Sequence, residues 1–520
     1  MIQKKPVRGL DPGMDAGFRL RKAALAADRL VSRFSGRSQV GKDHAQINGV
    51  VTVPRLSARF TTTRRFADKR ARGREDDMTE LTAGTLPWYR VLTTSQWRTL
   101  IATNLGWLFD GYEAYALFLT VGPAMRSLLD PSQYAQIPAY IGTVVAITLL
   151  GWGIGGFCGG ILADYIGRKR TMIYAILAYS ILTGLTAISF NWISFALLRF
   201  LVGIAIGSEW ATGSSMMAEL WPNEARGKGA GLMQCGLGIG FFLASFIWLF
   251  VGALGPEAWR YMFLIGILPA LLTVWIRTSI DESQAWQRVD AQRREARARK
   301  DSGATLSAHE QALTRFTIAD LFTEPETRRR IVLAFLLSLT TTLAWWGISS
   351  WVPPYIASVA AKANLPGPQW ASYAGMAYNL GGILGYASFG FLADRFGRKP
   401  IVMLYFAASL LMTPVLFLWT SDLNLLLVAA AVNAFFTLGQ YSWMPVWLPE
   451  LFPTRSRATG IAFSFNAPRF IAFLGPLFAG ALIVQFGGFS RAAMIISCIY
   501  VLGFCVAPFL PETKGKPLPA

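Results

Sequence analysis

The feature that most constrains this chain is a succession of apolar runs, each about twenty residues long, set apart by short polar loops. At about 1.5 Å of rise per residue, a helix of that length covers the roughly 30 Å hydrocarbon core of a bilayer. The runs lie at 99–121, 138–162, 171–190, 193–217, 229–252, 259–277, 331–353, 370–392, 401–420, 423–447, 458–484 and 491–510, and are numbered here as spans 1 to 12. Hydrocarbon offers the backbone no hydrogen-bond partners, so each run has to close its own ladder as a helix. The reading is an all-α membrane protein of 12 transmembrane helices.

Charge placement supports this reading. The net charge of +19 invites a nucleic-acid partner, but residues 1–77 hold 18 Lys/Arg against 8 Asp/Glu, and most of the remaining excess sits in alternate short loops. Arg168, Lys169 and Arg170 follow span 2; Arg395, Arg398 and Lys399 flank the 8–9 turn; Arg226, Lys228, Arg455 and Arg457 lie in the 4–5 and 10–11 loops. The opposite loops hold few cations, Arg126, Lys362 and Arg491 among them. This positive-inside asymmetry places both termini in the cytoplasm of a multi-pass plasma (bacterial inner) membrane protein and argues against nucleic acid as a partner. The four cysteines fall in apolar runs without metal-ligand spacing, and His44 and His309 lie outside them, so no metal, cofactor or disulfide framework is expected.

The chain also repeats itself. GILADYIGRK (Gly160 to Lys169) recurs as GFLADRFGRK (Gly390 to Lys399) at an offset of 230, and AELWPNEARGKG (Ala218 to Gly229) as PELFPTRSRATG (Pro449 to Gly460) at 231. One shared offset for two motifs implies two pseudo-symmetric six-helix bundles. The expected organisation is a basic cytoplasmic segment at 1–96, bundles at 97–278 and 331–511, a cytoplasmic linker at 279–330 with ten Lys/Arg and nine Asp/Glu, and a tail at 512–520. Residues 1–77 contain no span and no secretory signal pattern, although Phe18 to Phe34 could form a weak amphipathic helix. They read as a targeting segment, a disordered tail or a mis-assigned start, with MTELTAGTLPWYRV from Met78 as an ordinary lead-in to span 1.

Charges inside the spans single out residues. A charged side chain at the bilayer centre costs roughly 2.5–3.5 kcal/mol on insertion scales, so each needs a partner or a function. In FDGYEAY, Asp110 lies about 17 Å into span 1 and Glu113 one turn further on the same face. Two acids so close cannot easily both ionise, which marks one as a proton carrier, Asp110 before Glu113; the alternative is a permanent pair with an arginine. Arg199 and Glu209 in span 4 are about 15 Å apart along the axis, too far to pair, so each should meet another helix. Glu209 joins Asp110 as a proton-coupling residue, while Arg199 either engages an acid or snorkels outward. Arg469, about 17 Å into span 11, cannot deprotonate, and its planar fork matches a carboxylate; a substrate carboxylate or a permanent acid would supply the counter-charge. Neutral substrate-binding candidates are Tyr112, Gln234, Asn379, Gln440, Tyr441, Trp443 and Asn466, with Gln440, Tyr441 and Trp443 beside Pro445, where a broken helix would line a cavity. Asn104, Tyr115, Trp345, Trp346, Tyr378 and Asn433 are further cavity candidates.

The repeated loops also follow a physical logic. Gly160 permits close helix approach, Asp164 and Asp394 can cap a neighbouring helix, and the adjoining cations can pair with acids. The GxxxDxxGR[KR] pattern after spans 2 and 8 resembles that of the major facilitator superfamily, and the resemblance covers about 420 of the 520 residues. DGYE at Asp110 is similar to the DGxD of aromatic-acid:proton symporters, with Glu113 in place of the second Asp. RFLVGIAIGSEW (Arg199 to Trp210) resembles the RxxxGxGxGGEW of the sialate and lactate type, with Ser208 replacing a Gly. SSWVPPYI (Ser349 to Ile356) and NAPRFIAFLGP (Asn466 to Pro476) also look like the organic-acid groups, the latter with Pro468 where NxGR has Gly.

The resemblance implies the fold of that superfamily, no enzymatic activity and proton-coupled uptake of a small organic anion, aromatic or monocarboxylic, by alternating access, as a monomer in the bilayer. It implies conformational gating by Gly160, Asp164, Gly167, Arg168, Glu219 and Arg226, and by Gly390, Asp394, Gly397, Arg398, Glu450 and Arg457. A sugar or other metabolite transporter, an exporter and a non-transporting nutrient sensor are the alternatives.

Overall fold

The computed structural model describes residues 87–519; the readings made on residues 1–86, including Phe18 to Phe34 and the start at Met78, lie outside the described residues. The described chain is all-helical. Span 1 is Thr94–Leu128, span 2 Ile137–Ile166, span 3 Arg168–Thr186, span 4 Trp192–Leu220 and span 5 Arg226–Val251. Span 8 is Gly367–Phe396 and span 9 starts as Arg398–Pro414. Among the described residues, nine helices are long and apolar enough to cross a membrane. Spans 1, 3 and 8 complete the twelve as helices of 35, 19 and 30 residues with more polar sequences.

Five runs that read as continuous are interrupted. Span 6 divides into Trp259–Ile265 and Pro269–Ser279, span 7 into Pro325–Gly347 and Val352–Lys362, and span 12 into Phe489–Ser497 and Ile499–Val506. Span 10 stops at Thr437, tightens into a 3-10 turn over Gly439–Ser442 and resumes as Trp443–Trp447. Span 11 runs as Arg457–Asn466, Arg469–Ala472 and Leu474–Gln485. Proline accounts for several of these breaks, because it brings no N–H to the ladder and clashes with the preceding turn; Pro269, Pro353 and Pro468 each sit at one.

The packing reproduces the internal repeat. Span 2 packs on span 4 and, by the same offset, span 8 on span 10; between the bundles, span 2 meets span 11 and span 8 meets span 5. Small residues allow these close approaches. A Cβ at Gly160 would lie 2.8 Å from the Ala458 carbonyl oxygen of span 11, and one at Gly390 would lie 3.1 Å from the Gly231 Cα of span 5. Large apolar side chains such as Leu271, Val274, Leu411 and Val428 stand exposed on the outside of the bundle, as a lipid-facing surface requires.

Candidate functional site

Spans 1 and 4 bring the membrane-embedded charges together. Glu113 forms an ion pair with Arg199, both buried, and the Arg199 guanidinium also lies 4.9 Å from the centre of the Phe263 ring. Glu209 reaches span 1 at Gly106, where a Cβ would collide with its carboxyl. Sequence spacing alone sets Asp110 against Glu113. The fold distributes the two acids differently: Glu113 is neutralised by span 4, while Asp110 faces Glu209. The reason is rotational. A three-residue step turns a helix by about 300°, enough to present neighbouring acids to different residues of one facing helix.

A cavity opens beside these pairs, between the two bundles. The first bundle contributes Trp107, Glu113, Phe118, Trp152, Arg199 and Phe241, and the second contributes Trp345, Trp346, Tyr441, Phe465 and Arg469. Arg469 is positioned by the break in span 11. There the Phe465 carbonyl accepts a hydrogen bond from its Nη1, and Asn466 Oδ1 accepts a second at 3.3 Å. The guanidinium carbon lies 4.0 Å from the Phe465 ring centre and 4.7 Å from that of Trp152, a cation held between two aromatic faces. Its Nε has no acceptor, and among the described residues no carboxylate pairs with it.

The other candidates divide by location. Tyr441 lines the cavity, and Asn466 serves it by holding Arg469. Gln440 is buried on the same 3-10 turn, its amide donating to the Thr437 carbonyl at 3.0 Å. Asn379 lines a second cavity with Tyr115, Tyr378 and Ser349, separated from the first by Phe118, Phe241 and Trp345, which border both. Like Gln440 and Asn466, three further substrate candidates are absent from both walls. Tyr112 donates to the Met262 carbonyl at 2.9 Å, Gln234 accepts from Trp210 at 3.3 Å, and Trp443 donates to Thr341 at 3.0 Å. The aromatic wall of Trp107, Phe118, Trp152, Phe241 and Phe465 was not singled out by sequence. Trp107 is one turn from Asp110 on the same helix, and Trp152 interrupts a glycine-rich stretch; both were available signals.

On the face bearing the basic loops, the repeated motifs form two matching networks that cross between the bundles. Asp164 accepts from the backbone N–H groups of Ala458 and Thr459 at 3.3 and 2.9 Å, capping span 11; Asp394 accepts from those of Gly227 and Lys228 at 3.2 and 3.0 Å, capping span 5. Arg168 reaches Asp164 and Glu219, each at 3.1 Å, and Glu219 also receives Arg457 of the other bundle at 2.8 Å. Arg398 reaches Asp394 at 3.1 Å and Glu450 at 2.8 Å, and Glu450 receives Arg226 at 3.2 Å. Gly167 and Gly397 have φ of 104° and 103°, a conformation that only glycine adopts without strain, and this lets span 3 and span 9 start immediately.

A further symmetric pair was missed. Glu282 accepts from the N–H groups of Arg168 and Lys169, and Glu512 from those of Arg398 and Lys399, at 3.0–3.1 Å for the shortest contact to each. The two glutamates are 230 residues apart, the same offset as the loops they cap, but DESQ and PETK share too little to be matched by eye. Burial pushes the Glu282 carboxyl up despite its donors. For Glu512 burial acts in the same direction, but the N–H groups of Arg398, Lys514, Lys399 and Thr513 outweigh it and hold the carboxyl below its usual range. Beneath this face, helix Gln284–Asp301 sends Arg293 to the carbonyl oxygens of Asp164 and Arg455 at 2.7 and 2.9 Å, touching both bundles.

The family described as "Sugar (and other) transporter" matches residues 30–520. The sialic acid transporter of Escherichia coli is 28% identical over 73% of this chain and 85% of its own length, and the cis,cis-muconate transport protein of Acinetobacter baylyi is 27% identical over 72% and 86%. Among solved structures, a proton:xylose symporter bound to 6-bromo-6-deoxy-D-glucose superposes with a TM-score of 0.67 at 22% identity, covering 82% of this chain and 98% of that one.

Proposed function

Because the chain belongs to the sugar (and other) transporter family of the major facilitator superfamily, we propose that this multi-pass membrane transporter carries a small organic anion into the cell together with protons. One observation carries the choice of substrate: Arg469, buried at the interface of the bundles, with no carboxylate partner among the described residues. A guanidinium cannot shed its charge to escape burial, so a substrate carboxylate completes the site. The aromatic wall of Trp107, Trp152, Trp345, Trp346 and Phe465 suits a flat, unsaturated or aromatic body attached to that carboxylate. The names of the two bacterial relatives are those of acid transporters, which supports the same class.

In this reading the Glu113–Arg199 pair shares the cavity with the anion, and protonation of a span 1 carboxylate accompanies transport. The basic loops face the cytoplasm of a bacterial inner membrane by the positive-inside rule, and the crossed networks hold that side closed. Tyr441 and, from the adjoining cavity, Asn379 are polar groups available to a substrate entering from the opposite side, with Asn466 and Gln440 behind them.

The test uses proteoliposomes of the full chain. External pH and tracer uptake are followed as cis,cis-muconate, an aromatic monocarboxylate, sialic acid or xylose is added. The expected result is external alkalinisation with a carboxylate and not with xylose, lost in Arg469→Ala. Uptake of xylose in preference to every acid would overturn the anion reading, and acid uptake without a pH change would overturn the proton coupling.

A further inference from the structure

We infer that Asp110 of span 1 and Glu209 of span 4 form a carboxyl pair that holds one proton between them, behind the wall of the anion cavity rather than in it. Both are buried, at 0% and 2% exposure, and neither lines the cavity that Glu113 and Arg199 border. Neither oxygen of Asp110 receives a hydrogen bond, and Glu209 Oε2 receives none. Glu209 seats its carboxyl against Gly106, one turn before Asp110; residues i and i+4 share a helix face, so the two acids meet at hydrogen-bond range. Two carboxylates offer only acceptors to each other. Buried and at hydrogen-bond range, they coexist when one is protonated and donates to the other.

The surrounding groups leave the pair that proton. Glu113 on span 1 adds a like charge, and Arg199 on span 4 is engaged by Glu113. From span 3, Tyr179 presents a buried hydroxyl that finds no hydrogen-bond partner. Span 5 meets this stretch of span 1 through glycine backbone at Gly236 and Gly240. No Lys or Arg pairs with Asp110 or Glu209 among the described residues. Glu113, with an unpartnered Oε2, lines the cavity three residues along span 1 from Asp110. This makes the pair a proton store separate from the anion anchor, a role that rests on the proton-coupled reading above, whereas the shared proton itself can be read without transport.

The experiment is infrared spectroscopy of the full-length protein in lipid at neutral pH, in H2O and D2O, following the C=O stretch of protonated carboxyl groups. Wild type should show a band from a buried protonated carboxyl that donates to a carboxylate; Asp110→Asn and Glu209→Gln, each leaving one buried acid without a cation, should shift its frequency, the double substitution should remove it, and Glu113→Gln should leave it. Absence of the band from wild type at neutral pH, an unshifted band in both single variants, or its survival in the double variant overturns the pair. If these variants fail to fold, Asp110→Glu, which keeps both carboxyls and alters their spacing, should shift the band, and an unmoved band overturns the pair. A band present while acid uptake moves no protons would sink the coupling reading and leave the pair standing.

Discussion

Arg469 shows most clearly what a single residue in a membrane can and cannot hide. Its depth in span 11 and its permanent charge were readable from sequence, and the missing counter-ion became visible only in the fold, because no periodicity reports what stands across an interface. Replacing it with Lys keeps the charge and loses the planar fork. We expect acid affinity in Arg469→Lys to fall about tenfold or more, on the order of 1.5–3 kcal/mol for a charge-assisted hydrogen bond, measured by substrate-induced thermal stabilisation. Arg469→Met should abolish that stabilisation altogether while leaving the ligand-free melting temperature equal to or above wild type, since it removes an unpaired buried charge and keeps most of the packing volume. A large loss of ligand-free stability in Arg469→Met would show that the guanidinium is structural. For the charges of spans 1 and 4 the same held: composition and depth identified Asp110, Glu113, Arg199 and Glu209, but the partner of each depends on helix rotation, which no spacing rule supplies.

At the scale of the helix, internal symmetry made the caps legible. Asp164 and Asp394 were identifiable because a repeated loop needs a repeated reason, and each caps a helix of the opposite bundle through residues that are themselves 231 apart. Glu282 and Glu512 cap spans 3 and 9, each in the bundle that it follows, and are not legible from sequence because their flanking residues differ. Removing a capping side chain costs about 0.5–2 kcal/mol, so Asp394→Ala should lower the stability of the folded bundle by that order, read from denaturant unfolding in detergent. Glu512 adds a pH signature. Its folded carboxyl titrates below its ordinary value, so its contribution is complete above about pH 4.3 and is lost as pH falls through the depressed folded value. The stability gap between wild type and Glu512→Gln should therefore be constant from neutral pH to about pH 5 and should close on further acidification. A gap that widens with acid would contradict the cap. The breaks in spans 10 and 11 were only half legible. Pro445 announced irregular helix, and span 10 gives way over Gly439–Ser442, which includes Tyr441, the residue four before the proline, whose carbonyl its ring would meet; the break at Pro468 in span 11 carried no such expectation.

For the whole molecule, the decisive feature is that each network on the basic face is crossed. Glu219 binds Arg168 of its own bundle and Arg457 of the other; Glu450 binds Arg398 of its own and Arg226 of the other. The bundles are thus tied twice, by two copies of one device, and an interface held twice should open appreciably only when both ties fail. Cys235 provides a native probe, because it is buried on span 5 with its thiol 3.4 Å from the Ile383 carbonyl of span 8. In a variant retaining Cys235 alone, with Cys158, Cys498 and Cys505 changed to Ser, a maleimide should label it slowly. We expect Glu219→Gln or Glu450→Gln singly to raise the rate a few-fold, and the double substitution to raise it by more than the product of the two. The remaining tie compensates for the first loss and not for the second. Equal labelling in all four proteins would mean that the closed face is held by the glycine-lined contacts of spans 2 with 11 and 5 with 8, leaving the ion networks to orient the loops without setting the balance between open and closed forms.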